Sequence, residues 1–325
     1  VYSNRRFQVR ECGLVSEHRA QHSGICQGCP LSPFLFIIVM TVAYELLSPE
    51  SRQAVAEQRL YDILYADDTL ELGTSVSCVE ELAQAIETAG AEFGMSLHWG
   101  KIQALAVCAD TGLRDPDGNL LEDCGSLLYL GGLLTADGRA DSEVSRRIGA
   151  AMGDFRALQK MWGHTGIGTK RKIQLFTSLI SSKLQYCCTV WLVAAQLRRI
   201  DGFYARCLRR ILRIPAAFVS RVSNKSVFRQ AGVLAMSEQV LLRQMLLMGR
   251  VVSSTAGSAI RRHVFVGSTL ETQVGRYVRR VGRPRQDWST EVLKATATKL
   301  GSLARMEALF SRDGWKAELK SFFKV

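Results

Sequence analysis

Short runs of alternating apolar and polar residues predict strands in the first 140 residues of the chain. Two of these runs, Leu60 to Tyr65 and Leu70 to Leu72, stand on either side of the acidic pair Asp67 and Asp68. The stretch "LLYLGGLLTADG" predicts a second strand, turn and strand, in which paired glycines let the backbone bend sharply. The run "MSLHWGKIQALAV" predicts a turn and then a strand that begins near Lys101.

Longer apolar runs with helical spacing lie between these strands. Ser32 is a good N-cap and Pro33 suits the first helical position, so a helix is expected to run from there through Leu47. A turn-rich loop, "SGICQGCPLSP", precedes this helix. Residues 79–93 repeat apolar side chains near helical spacing and predict a helix that packs beneath the sheet. The pattern therefore predicts an α+β fold for this part.

From residue 141 onward the pattern is helical throughout. Asp141 is placed to cap one amphipathic helix, and Thr169 is placed to cap a second one through Tyr186. A third helix, from Leu197 to Ile214, separates an apolar side from four arginines on another side. Those arginines are Arg206, Arg209, Arg210 and Arg213. Helical periodicity alone is equally consistent with a solvated arginine face.

The acidic pair admits two interpretations. Asp is a common turn residue, so the pair could mark only a solvated hairpin tip. Its apolar neighbours instead predict a buried hairpin, where two carboxylates would raise each other's pKa unless a cation neutralised them. Divalent ions have that role in phosphoryl-transfer sites, so the pair predicts bound Mg²⁺.

Charge divides the chain into two unlike halves. Residues 1–140 hold 9 lysines and arginines against 19 aspartates and glutamates, a net −10, whereas residues 141–325 hold 33 against 11, a net +22. An acidic part that holds metal and a basic part suit a protein that works on a polyanion, although charged surfaces also serve solubility. Near the C-terminus, arginines interleave with Tyr277 and Trp288 and could bind phosphates and stack on bases. The arginines in question are Arg279, Arg280, Arg283 and Arg285.

Composition bounds the class of protein. At 325 residues and 47% hydrophobic, the chain can bury a sizeable core in two or three parts. Its longest apolar run is too short to span a bilayer, and nothing lipid-specific supports docking on a membrane. Nine scattered cysteines suit reduced thiols in an intracellular protein, nuclear or cytoplasmic. Cys26 and Cys29 form a CxxC, but no second pair stands at zinc-finger spacing.

Four motifs in order resemble the reverse transcriptase domain of non-LTR (LINE-type) retrotransposons. They are "QGCPLSPFLF" at 27–36, "YADD" at 65–68, "SLHWGKIQALAV" at 96–107 and "YLGGLL" at 129–134. The resemblance implies a right-hand polymerase: a partial palm, an antiparallel sheet with helices on one face, over 1–140, a helical thumb over 141–215 and a basic helical region over 216–325. It implies an RNA-directed DNA polymerase that joins dNTPs to a DNA primer on an RNA template, with two Mg²⁺ ions.

The resemblance also assigns roles to residues. Asp67 and Asp68 would hold metal, and Lys101 would lie by the leaving pyrophosphate. The template and incoming nucleotide would contact Gln27, Gly28, Pro30, Ser32, Tyr65 and Ala66. The primer grip would comprise Tyr129, Leu130 and Gly131.

Two departures from the family pattern qualify the resemblance. Ile102 stands where the family usually has Thr after the Lys. A further catalytic aspartate and the fingers are expected upstream of Gln27, and the chain begins too late to include them. The isolated chain is therefore expected to be inactive. The alternative is a remnant of such an element that binds nucleic acid without catalysis.

Overall fold

The computed structural model describes residues 5–21, 24–26, 28–56, 60–107, 112–190, 194–273 and 287–323. The chain divides into two units, Val1–Tyr129 and Leu130–Val325. The first mixes short strands with helices. The described part of the second is helical after its opening strand, apart from one isolated bridge. The predicted α+β class is therefore confirmed. The finer division at residues 140 and 215 stays a prediction.

The first unit contains seven strands and three helices among its described residues. They are β1 (Arg5–Phe7), β2 (Arg10–Glu11), β3 (Leu14–Val15), β4 (Arg19–Gln21), α1 (Ser32–Glu45), α2 (Pro49–Ala56), β5 (Leu60–Tyr65), β6 (Asp68–Gly73), α3 (Val76–Ala91) and β7 (Ser126–Tyr129). Helices α1 and α3 and the β5–β6 hairpin form where periodicity predicts them.

Among the described residues, the strands of the first unit do not join into the single antiparallel sheet that was expected. β1 pairs with β4, β2 with β3, and β5 with β6, each as a separate antiparallel ribbon. Strands of two or three residues supply too few ladder hydrogen bonds to extend a neighbouring ribbon. The predicted strand after Lys101 is also wrong. The chain forms a 3₁₀ turn at Trp99–Lys101 and then only an isolated bridge between Ala104 and Asp123.

The β5–β6 hairpin is less buried than its apolar sequence predicts. Ile63 and Leu64 are 45% and 43% exposed, and Tyr65 is 62% exposed. Within the described residues only two strands pair in this ribbon, so much of its apolar surface faces solvent. Helix α3 packs against β6 and contributes Leu82, which is fully buried, to the small core of the unit. The expectation of a buried hairpin was therefore wrong.

Three residues that were predicted as N-caps lie one position after the observed N-caps. Ser32, Asp141 and Thr169 are each the first residue of a helix, and the N-caps are Leu31, Ala140 and Gly168. None of these three helix starts has a side-chain capping bond. Ser32 Oγ instead donates to the carbonyl oxygen of Cys26 at 2.6 Å, so its hydroxyl closes the preceding loop.

The second unit contains one strand and twelve helices among its described residues. They are β8 (Gly132–Thr135), α4 (Asp141–Ala157), α5 (Gln159–Gly163), α6 (Thr169–Phe176), α7 (Ser182–Leu184), α8 (Ala194–Leu212), α9 (Ala217–Ser220), α10 (Asn224–Ala231), α11 (Met236–Ser253), α12 (Ala259–Val264), α13 (Trp288–Leu300), α14 (Leu303–Phe310) and α15 (Trp315–Ser321). A π-helical segment, Thr177–Ser181, joins α6 to α7. No helix in the described part of the chain is both long and apolar enough to cross a membrane.

Two hydrophobic cores stabilise the second unit. The first stacks Phe155 on Trp162, with ring centroids 5.2 Å apart, and sets the edge of Phe176 against both rings. The second is built around Phe310 and Trp315. Helix α11 contributes its first half to one core and its second half to the other, so it links the two.

Candidate active site and nucleic-acid interface

The acidic pair lies at the tip of the β5–β6 hairpin. Tyr65 pairs directly with Asp68, so Ala66 and Asp67 form a two-residue turn. Ala66 has φ 55°, in the left-handed region that side chains other than glycine rarely adopt. Both aspartates are exposed. The tight turn therefore presents two adjacent carboxylates to solvent on a short, hydrogen-bonded support.

Tyr129, the first residue of the predicted primer grip, lies against this hairpin. Its hydroxyl donates to the carbonyl oxygen of Ile63 at 3.0 Å, across 66 residues of sequence. Burial raises the pKa of Tyr129, and the nearby charges of Asp68 and Asp62 raise it further. The structure thus brings a predicted primer-grip residue close to a predicted metal ligand.

The two carboxylates fit a magnesium ion of the kind that also binds phosphate. Mg²⁺ commonly takes one or two protein carboxylates and completes its shell with water and substrate phosphate oxygens. Asp67 and Asp68 supply two such oxygen donors side by side on the hairpin tip. Among the residues that the structure describes, no group of three or more His, Cys, Asp or Glu side chains is arranged to hold a metal ion.

The loop before α1 is partly described. Gln27 lies outside the described residues. Gly28 has φ +85°, which glycine adopts without strain, and both Gly28 and Pro30 are exposed. Ser32 is 7% exposed, and because its hydroxyl binds Cys26 it shapes the loop from within.

Lys101 is exposed at the end of the 3₁₀ turn Trp99–Lys101. Trp99 Nε1 donates to Glu87 Oε2 at 3.0 Å and anchors this turn on α3. The ammonium group is thus presented to solvent from a turn that is held in place by the helix.

The four arginines predicted on α8 do not share one environment. Arg206 and Arg210 are exposed four residues apart on one face of α8, and Arg213 is exposed directly after the helix, where its backbone is left-handed with φ 60°. Arg209 is only 5% exposed. Its guanidinium donates to the carbonyl oxygens of Pro215 and Val222, at 3.3 and 2.5 Å.

Arg209 therefore holds the segment after α8 in place. It makes two further contacts, to Ser220 Oγ and Asn224 Oδ1. The prediction of a surface arginine at this position is corrected, because residues 215–224 fold back over it. The second predicted arginine cluster, Arg279, Arg280, Arg283 and Arg285, lies outside the described residues.

A cluster around Gly131 was not predicted from the sequence. Glu143, Arg146 and Arg147 on α4 and Tyr186 after α7 all contact the Leu130–Gly131 turn or one another. The spacing of Glu143 with two arginines three and four residues later is a signal for ion pairs on one helix face. Nothing local in the sequence indicates the contribution of Tyr186.

Comparison with known families gives one match, in the N-terminal part of the chain. Residues 4–134 match the family described as "Reverse transcriptase (RNA-dependent DNA polymerase)". The matched range contains the hairpin tip, Lys101 and the Tyr129–Gly131 motif. A search of curated proteins found no match.

Proposed function

We propose that the chain forms part of an RNA-directed DNA polymerase of a non-LTR retrotransposon, because residues 4–134 match the reverse transcriptase family. In this proposal the first unit provides metal, nucleotide and primer contacts, and the basic second unit holds the RNA–DNA duplex. The non-LTR assignment rests on the four motifs and their order.

The observation that carries this proposal is the arrangement of the hairpin tip. Asp67 and Asp68 are exposed on a two-residue turn, and Tyr129 lies against the same hairpin with Asp68 in electrostatic range. Nucleotidyl transfer needs carboxylates held rigidly beside the primer 3′-hydroxyl. A two-residue hairpin turn needs positive φ at its first central residue, so the backbone of Ala66 belongs to the tight turn that presents the two carboxylates.

The roles of the residues follow from charge and position. Magnesium, when bound, would stabilise negative charge on the attacking and leaving oxygens. Asp67 and Asp68 would hold it at the tip, and Tyr65 and Ala66 would orient the turn. Lys101, exposed on its anchored turn, would neutralise or protonate the departing pyrophosphate. Gln27, Gly28 and Pro30 would contact template and nucleotide through a loop that Ser32 closes.

The positive charge of the second unit suits binding of an RNA–DNA duplex. Arg206 and Arg210 on α8 and Arg213 directly after it are three exposed basic residues near the end of this helix. Contacts of this kind read the phosphate backbone and leave base edges unread, so binding would show little sequence preference.

Iron-mediated cleavage tests the proposal without requiring turnover. The chain is bound to an RNA–DNA hybrid with a recessed DNA 3′ end, and Fe²⁺ with ascorbate replaces Mg²⁺, so that hydroxyl radicals cut what lies near the metal. We expect polypeptide cleavage around residues 65–68 and DNA cleavage near the primer 3′ end, both suppressed by excess Mg²⁺. Asp67→Ala with Asp68→Ala should abolish both, and the exposed Asp117→Ala should change neither.

The same experiment separates the proposal from its alternative. A remnant that binds nucleic acid without a catalytic site would shift the hybrid in a gel and yet give no metal-dependent cut at the primer end. That result would reject the polymerase assignment for this chain and leave only nucleic-acid binding.

A further inference from the structure

Two consecutive residues of the "YLGG" motif have a left-handed backbone. Leu130 has φ 46° and Gly131 has φ 73°. Glycine adopts this conformation without strain, but Leu130 carries a Cβ that disfavours it. Positive φ at two consecutive residues is the geometry of a type I′ turn, and further contacts hold the turn in this chain. The contacts that fix it here come from α4 and from the residue that follows α7 by two positions.

Both carbonyl oxygens of this turn accept hydrogen bonds from the helical part of the second unit. Tyr186 Oη donates to the carbonyl of Leu130 at 2.6 Å. Arg146 Nη2 donates to the carbonyl of Gly131 at 2.7 Å, and Arg147 Nη2 donates to the same oxygen. The next residue but one, Leu133, donates its backbone N–H to Glu143 Oε2 at 3.2 Å.

The four side chains also fix one another. The Glu143 side chain is only 4% exposed, and its carboxylate accepts hydrogen bonds from Arg146 and Arg147. The guanidinium of Arg147 lies over the ring of Tyr186, 4.6 Å from its centroid. Two arginines against one carboxylate leave an excess positive charge beside the turn, and this charge favours a phosphate there.

We propose that Glu143, Arg147 and Tyr186 are positioning residues that hold the Leu130–Gly131 turn in the conformation that receives the primer 3′ end. This inference rests on the proposed function, which assigns the turn to primer binding. The three residues act through the turn, and their contacts span 56 residues of sequence between Leu130 and Tyr186. The device therefore couples a polymerase motif to the helical region that follows it.

The test compares two probes on the full chain. One is a fluorescent RNA–DNA hybrid with a recessed DNA 3′ end, and the other is a blunt hybrid of the same duplex length. We expect the wild-type chain to prefer the recessed end. Tyr186→Phe, which removes only the bond to Leu130, should lower that preference about two- to tenfold and leave affinity for the blunt hybrid unchanged.

Matched variants separate positioning from folding. Tyr204→Phe makes the same chemical change in the core of the second unit, where the hydroxyl meets Ser181, and should keep the preference. Glu143→Gln should lower the preference at least as much as Tyr186→Phe, because both arginines lose their ionic partner. Thermal unfolding of each variant by circular dichroism confirms that the chain still folds.

The outcomes distinguish the inference from the function on which it rests. If the wild-type chain prefers the recessed end and folded Tyr186→Phe retains the full preference, the positioning role is wrong and the proposed function stands. If the wild-type chain binds both hybrids equally, or binds neither, the primer assignment itself fails and the inference fails with it.

Discussion

Asp62 and Glu71 lie directly opposite each other on the two strands of the hairpin that carries Asp67 and Asp68. Burial and, after it, the charge of Asp62 together raise the pKa of Glu71 from its ordinary 4.5 to about 7. Burial also raises the pKa of Asp62. Tyr44 from α1 faces the same pair, and burial followed by the charge of Asp62 raises its pKa. The two strands of the hairpin therefore carry a pair of carboxylates whose surroundings favour their protonated forms.

This pair predicts that the first unit loses stability as pH rises. A carboxyl whose pKa is raised by folding contributes stability below its unfolded value, and that contribution is lost as pH rises through the folded value. Glu71 thus stabilises the unit near pH 4.5 and progressively less up to about pH 7. Glu71→Gln should flatten this dependence and raise the unfolding midpoint at pH 8. Urea unfolding of the full chain at pH 5 and pH 8 measures this change in stability.

The exposed Glu81 on α3 gives a matched control for that prediction. Glu81→Gln removes the same charge from the same unit and should leave the pH dependence as it is in the wild type. If stability changes with pH to the same extent in the wild-type chain and in Glu71→Gln, the facing carboxylates do not govern the pH dependence of the unit.

The positive φ of Ala66 at the hairpin tip predicts that replacing this residue by glycine increases stability. Ala66 adopts φ 55°, which costs a residue with a Cβ about 1–2 kcal/mol, whereas glycine costs about 0.5–1 kcal/mol in unfolded-state entropy. Ala66→Gly should therefore stabilise the hairpin by roughly 0.5 kcal/mol, and the β-branched Ala66→Val should destabilise it. Denaturant midpoints of the two variants give the comparison. A clear loss of stability on Ala66→Gly would contradict the strain.

Two helical glycines predict opposite outcomes for the same substitution. A Cβ on Gly249 would lie 2.5 Å from Trp315 Cη2 and 2.9 Å from Phe310 Cε1, so Gly249→Ala should destabilise the second core by about 1–3 kcal/mol. A Cβ on Gly153 would meet nothing within 4 Å, so Gly153→Ala should stabilise α4 by about 0.5–1 kcal/mol. Thermal unfolding followed by circular dichroism tests both, and equal effects would argue against the close packing at Trp315.

Local periodicity was sufficient to predict much of this fold. The hairpin around Asp67, helix α3 and the amphipathic helices α4 and α8 form where the apolar spacing indicates, because each is decided by residues within a few positions of one another. The helix caps were displaced by one residue. In the case of Ser32, a distant backbone acceptor at Cys26 competes for the hydroxyl.

The sequence pattern did not predict contacts between segments that are far apart in the sequence. Arg209 shares an apparent stripe with its neighbours, yet the chain after Pro215 turns back and buries it. Tyr186 contacts Leu130 across 56 residues, and no spacing rule connects them. The exposure of Ile63 and Leu64 likewise depends on whether a third strand pairs with the hairpin, and composition does not decide that question.

The different environments of the α8 arginines give the last prediction. If Arg206, Arg210 and Arg213 each contact a phosphate, replacing all three by Gln should lower the log–log salt slope of hybrid binding by roughly two to three, at about 0.7–0.9 per contact. Their removal should change unfolding stability by less than about 0.5 kcal/mol, because exposed side chains contribute little to it. Arg209→Ala should instead destabilise the second unit by roughly 2–4 kcal/mol, since the carbonyls of Pro215 and Val222 lose a charged donor.

Fluorescence anisotropy of the full chain at several salt concentrations measures the slope, and urea unfolding measures the stability. The exposed residues Arg312, Lys316 and Lys320 allow a control that removes the same charge far along the sequence from α8, and their triple Gln variant should change the slope by less than about one. Asp67→Ala with Asp68→Ala should leave hybrid affinity unchanged or slightly higher, because it removes negative charge. If replacing Arg206, Arg210 and Arg213 leaves the salt slope unchanged, or if the control variant lowers it equally, these arginines are only solvated and the duplex binds elsewhere.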